Sequence, residues 1–137
     1  MPIMYSIDKD LGLTLVRWHG LVTAEEFLAH TDKLSTDSHW PPSKYLHLAD
    51  LRHATLHESV NQDILLKIAE MYSVHPKVRS FKVAIVAAEA FDKAVIFQRL
   101  VQSYMSVIVF YSFSTACVWL NISQEKAERT LDSLVPH

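Results

Sequence analysis

Apolar and polar residues alternate through residues 3–8 and 13–19, and the DKDLG stretch between them supplies Asp, Lys and Gly12 for a turn. That pattern predicts a β-hairpin. Thr23 stands three residues before Glu26, a capping-box spacing, and Val22 can close on Phe27 as a hydrophobic staple, so a helix is expected from Ala24 with Phe27, Leu28, Thr31 and Leu34 along one side. The prolines of HWPPSK end it. YLHLADL, residues 45–51, reads as the next strand, followed by a polar loop that carries His53 and His57. Ser59 and Gln62 repeat the capping-box spacing and predict a second helix, with Val60, Ile64, Leu65, Ile68, Met71 and Tyr72 as its apolar positions. FKVAIVAA (81–88) and VIVFYSF (107–113) are further strands around a helix from Glu89 to Tyr104; a short helix after Ser114 and a last one from Ser123 complete the chain. The strands beginning near Leu13, Tyr45, Phe81 and Val107 are expected to run parallel. The predicted fold is thus α/β: one domain whose mixed sheet has an N-terminal hairpin, mostly parallel strands and helices on both faces.

Composition narrows the classes. The chain has 137 residues, of which 50% are hydrophobic and 20% charged, enough for one domain with a substantial core. Thirteen basic and fifteen acidic residues give a net charge of −2 without a basic run, which argues against a nucleic-acid partner. The single Cys117 allows no internal disulfide, and MPIMYSIDKD lacks a signal-peptide pattern, so a reducing cytoplasm is the expected location. Residues 100–124 carry no charge, yet Gln102, Ser103, Ser106, Ser112, Ser114, Thr115 and Asn121 cut them into short apolar blocks, and no membrane span is expected. Two glycines in the whole chain cannot build a P-loop or a dinucleotide fingerprint.

The order of elements resembles the STAS fold of anti-sigma factor antagonists and of the cytoplasmic ends of sulfate transporters. Within that group, LGLTLVRWHGLVTAEEFLAH (11–30) resembles the opening of small bacterial SpoIIAA-like proteins. Asp50-Leu51 and Glu58-Ser59 fall where STAS domains place an Asp-Leu strand end and an Asp-Ser pair opening the next helix; Glu58 replaces the family's Asp. The resemblance implies a non-enzymatic regulatory module of the bacterial cytoplasm, with Ser59 as a phosphorylation site that switches binding to a protein partner, such as a kinase or an anti-sigma-type regulator.

The residues themselves offer little catalytic chemistry. Neither a GxSxG elbow nor an HExxH helix is present. Eight histidines are numerous, but His19, His30, His39, His47, His75 and His137 share no spacing, and no metal or cofactor is expected. Cys117 reads as apolar filler. Ser59 explains itself as a helix cap, while a phosphate there would also meet the positive end of a helix dipole. On the helix from Glu89, residues Phe91, Val95 and Ile96 fall outside the core stripe and predict a partner or homodimer interface. Partner or ligand contacts are assigned to Asp50, His53, His57, Glu58, Ser59, Ala88 and Phe91. Two alternatives stand beside the interaction module: a carrier of an apolar or anionic small molecule in the crevice beyond the carboxyl ends of the strands, and a metal-assisted hydrolase at Asp50, His53 and His57.

Overall fold

The computed structural model describes residues 2–134. His137, one of the scattered histidines, lies outside them. Five strands form one sheet: β1 (Ile3–Asp8), β2 (Leu13–Val22), β3 (Leu46–Leu56), β4 (Lys82–Ala87) and β5 (Ser106–Phe110). They lie in the order β1-β2-β3-β4-β5, with β1 antiparallel to β2 and all other neighbours parallel. The predicted α/β class, the hairpin and the parallel strands are all present. At the hairpin, Asp8 Oδ1 accepts the Leu11 N–H at 2.9 Å and Gly12 takes φ +63°, a left-handed conformation that a side chain would strain.

Helices α1 (Ala24–Ser35), α2 (Gln62–Ser73) and α3 (Phe91–Val101) are the three crossovers between successive parallel strands. Crossovers that step across a sheet in one direction with one hand put their helices on one face. That face and its helices form the larger core, with Val16, Trp18, Ala49, Leu51, Ile68, Ile85 and Phe97 among its members. Helices α4 (Phe113–Leu120) and α5 (Gln124–Ser133) follow the last strand and cover the opposite face, over Leu13, Leu15, Leu48, Ala84 and Val86.

Several expected boundaries shift, each for a physical reason. The expected loop Arg52–Leu56 is the second half of β3: His53 and Thr55 are exposed and Ala54 is buried, the alternation of a half-buried strand paired with β2 alone beyond Leu51. The second helix starts at Gln62 rather than at Ser59, because Asn61 is its N-cap, its side chain accepting the Ile64 N–H at 3.0 Å. Helix α3 spans Phe91 to Val101, shorter than expected, and Met105 N–H donates to the Val101 carbonyl in the turn that follows. Strand β5 stops at Phe110; Ser112, not Ser114, caps α4, leaving Phe113 buried as its first residue. The Thr23–Glu26 capping box of α1 and the Ser123 cap of α5 stand as predicted.

The second helical layer is fastened by ions as well as by apolar packing. Asp50, 4% exposed in the middle of β3, accepts from Arg52 Nε at 2.9 Å and Nη2 at 3.0 Å; the same Nη2 reaches Glu128 of α5 at 2.9 Å. The guanidinium also lies 4.3 Å from the Phe113 ring centroid. Arg17 donates to the Leu131 carbonyl at 3.1 Å and Lys82 to the Trp119 carbonyl at 2.7 Å, so two sheet cations meet the carboxyl-terminal halves of α5 and α4. Removing the guanidinium leaves a buried carboxylate with only the Arg52 backbone N–H. Arg52→Met should therefore cost about 3 kcal/mol in urea unfolding, and Asp50→Leu combined with Arg52→Met should recover most of that loss.

Candidate functional site

Between the sheet and α1–α3 lies a cavity of about 70 Å³. One water needs only about 10–15 Å³, so the space exceeds what a single water fills. Its walls come from every layer that meets there: Trp18 from β2, His30 from α1, His47 from β3, Tyr72 from α2 and Phe97 from α3. Trp40 comes from the loop before β3. That loop is held by Tyr45, at φ +56° in the left-handed region uncommon for an aromatic residue, whose N–H donates to the Pro42 carbonyl and whose carbonyl accepts from Lys82. The lining rings are locked against one another. Trp18 meets Phe27 edge-on at 4.7 Å, Trp40 meets Phe81 edge-on at 5.3 Å, and Tyr45 stacks on Phe81 at 5.8 Å.

Four polar side chains on this side of the sheet lack hydrogen-bond partners among the described residues. Trp18 Nε1 and Thr14 Oγ1 are buried and unpaired. His30, wedged at 5.9 Å from both Tyr5 and Trp18, and His47, register-paired with Thr14, make no side-chain hydrogen bond. Burial holds the His30 imidazole down to about 3, helped by the nearby His47 and Lys33, and burial alone holds His47 down to about 4. Both rings are neutral at physiological pH. Beside the cavity, Tyr5 donates to Asp37 Oδ2 at 2.6 Å; burial and that carboxylate push the phenol up to about 12.

The residues singled out in the sequence lie elsewhere. Asp50 is on the opposite face, engaged by Arg52. His53 is exposed on β3, next to His19 of β2. Glu58 and Ala88 are exposed, while Phe91 is half-buried and stacks on Tyr111 at 3.8 Å, with its rings only 4° from parallel. Val95 and Ile96 are half-buried, and Phe91 and Ile96 pack against the main core. None of these residues lines the cavity. Asp50, His53 and His57 do not converge either; among the described residues no group of three or more His, Cys, Asp or Glu side chains could hold a metal ion. Cys117 is buried, its thiol pushed up to about 11 by burial.

Only His57 and Ser59 are brought together, and in an unexpected role. His57 Nδ1 accepts the Ser59 backbone N–H at 3.0 Å and lies 2.9 Å from Ser59 Oγ, while Ser59 Oγ accepts the Ala24 N–H at 3.0 Å. Because Nδ1 accepts the backbone N–H, the neutral ring carries its proton on Nε2 and the hydroxyl donates to Nδ1. Ser59 thus serves the first turn of α1, not α2. Lys93 of α3 donates to the His57 carbonyl at 3.0 Å, which ties a third element to the same loop.

Trp18, Trp40, His30 and His47 were not singled out from the sequence. The available signal was a histidine in register with the apolar positions of YLHLADL: His47 shares its face with Ala49 and Leu51, which places an imidazole on a core face. No transmembrane-length apolar helix occurs among the described residues; residues 100–124 divide among the end of α3, β5, α4 and the start of α5. No protein-family model matches the sequence, and no curated protein matches it.

Two outcomes follow from this geometry. Ser59→Ala and Asn61→Ala should each lose about 1 kcal/mol of stability, since each strips a side-chain acceptor from the first turn of a different helix, and their losses should add in thermal unfolding. The histidines set a pH dependence: their folded values lie below the unfolded 6.5, so the unfolded chain binds more protons and stability falls as pH drops from about 6.5 toward 4. Asp37, whose carboxyl is held down first by Tyr5, contributes only below its ordinary value of 3.8. The melting temperature should therefore decline across the upper window in wild type, and the decline should flatten in the His30→Phe, His47→Phe double variant.

Proposed function

We propose that this chain is a non-catalytic binding protein for a small, mostly apolar molecule, taken into the cavity between the sheet and α1–α3. The observation that carries the reading is the cavity itself, walled by aromatic rings from five elements and a loop, with the Trp18 N–H left unpaired beside it. Ligand sites are concave, mainly apolar, and carry a few polar groups that fix orientation. Trp40, Pro41 and Tyr45 of the aromatic loop are half-buried, as are Phe27, Leu56 and Tyr72 elsewhere on the lining. The site differs from the crevice beyond the strand ends expected for a carrier: it lies beneath the helices.

A regulatory module of the STAS type, in the bacterial cytoplasm and acting on a protein partner, is the second reading. It is favoured by Ser59, half-buried and joined to both His57 and the amino end of α1, where a phosphate would break two hydrogen bonds and meet Glu25 and Glu26 in the first turn. For that reading, Ser59→Asp should destabilise the α1 junction and alter partner capture, whereas wild type and Ser59→Ala capture the same partner.

The ligand reading is tested by filling the cavity. Ala49, 6% exposed, lies on its wall, and Ala49→Leu places added methyl groups into the space. Wild type should show ligand-induced shifts of core methyl and indole NMR signals with xenon, an apolar probe of compact size, and the filled variant should show none at an unchanged or higher melting temperature. Identical responses from both proteins, or no response from wild type, would sink the proposal.

A further inference from the structure

The cavity is apolar by area but not by hydrogen bonding. Trp18 Nε1 can only donate, and it has no acceptor. His30 and His47, each neutral, present one donor and one acceptor nitrogen apiece and have no side-chain partner among the described residues. Thr14 Oγ1 is unpaired beside His47 in the sheet register. Folded proteins leave few buried polar atoms unpaired, because each costs the desolvation of a group that water would otherwise satisfy. Two such atoms on one face of the sheet and two imidazoles without a side-chain partner, one on β3 and one on α1, place three of the four groups on the wall of one cavity and define the complement they lack: a group that accepts from an N–H and donates to an imidazole nitrogen.

Charge excludes the other polar groups. No Asp or Glu lines the cavity to receive a cation. An anion would face two uncharged imidazoles, and the one ammonium on the wall, Lys93, is already held by the His57 carbonyl at 3.0 Å. A buried ion without a counter-charge is costly, whereas a hydroxyl is neutral and both donates and accepts. We propose that the molecule bound here carries a neutral hydroxyl group, as a compact alcohol does, seated against Trp18, His30 and His47. This inference rests on the binding function proposed above and adds the chemical class that the cavity selects.

Methanol and ethane separate the two claims, since both are small enough for a cavity of about 70 Å³ and they differ by a hydroxyl in place of a methyl group. NMR titration near neutral pH should find methanol bound about tenfold or more tightly than ethane by wild type, as expected when a hydrocarbon leaves buried polar groups unpaired. In Trp18→Phe and in His47→Leu the gap should narrow to about threefold or less, with ethane still bound. Equal binding of the two probes by wild type would overturn the hydroxyl class while leaving an apolar-ligand protein intact. A preference for methanol that survives both substitutions would overturn the assignment of these side chains. Binding of neither probe would overturn the ligand reading together with this inference. The wild-type comparison stands without the variants, so a substitution that fails to fold does not protect the proposal.

Discussion

A parallel sheet must be covered on both faces, and the strand order here decides how. Strands β2 to β5 are laid down in sequence, so the three crossover helices gather on one face and leave the other bare. The last part of the chain answers that constraint with α4 and α5, and the answer is partly ionic. Arg52 is the hinge of the arrangement: it neutralises the buried Asp50, reaches Glu128 on α5 and covers the Phe113 ring on α4. A purely apolar contact would supply comparable stability with less directional demand. The ion network instead fixes where along β3 the second layer sits, because both charges on the strand lie within three residues of each other.

The same stretch of β3 changes the sheet's register. Arg17 pairs with Asp50 and His19 with His53, so β3 carries one more residue than β2 between these pairs. That extra residue is a β-bulge, and its consequence is local: Leu51 and Ala54, three residues apart, both face the main core, while Asp50 and Arg52 face α4 and α5 by ordinary strand alternation. Beyond the bulge, β3 pairs only with β2, and the ribbon runs past the end of β4 to reach the amino end of α1. His57 and Ser59 sit at its tip, where one hydroxyl joins strand, loop and helix. The bulge thus lies on the strand between the fastening of the second layer, at Asp50 and Arg52, and the junction with α1, at His57 and Ser59.

The parts of the fold that were legible in the sequence are those specified locally. Thr23 with Glu26 predicted the start of α1 because both halves of a capping box act within one turn. Ser59 with Gln62 has the same spacing and misled, for a reason that is not local: Val60 is completely buried, held in a turn by its N–H to the His57 carbonyl, so the chain cannot begin helical geometry until Asn61 supplies the cap. The stretch HATL looked like a loop because its exposed positions are polar, although its alternation is that of a strand with one wet face. The cavity was illegible for a different reason. Its wall is assembled from residues far apart in the chain, and single positions such as His30, on a helix, or Trp40, before two prolines, carry no periodic signature of facing one another.

The unpaired polar atoms also bear on why such a cavity persists. Filling it with aliphatic side chains would gain contacts and remove the desolvation cost of Trp18 and Thr14, so stability alone favours its loss. Two imidazoles kept neutral by burial add a further cost as pH falls, since the unfolded chain can protonate them and the folded chain resists. Elements that reduce stability without serving the packing around them are the ones expected at functional positions. Here they are concentrated on one face of β2 and β3 and on the facing helix. The remainder of the sheet, including the ion-fastened second face, has its buried charge paired, and that contrast within a single molecule is the strongest physical argument for reading the aromatic cavity as the working part of the protein.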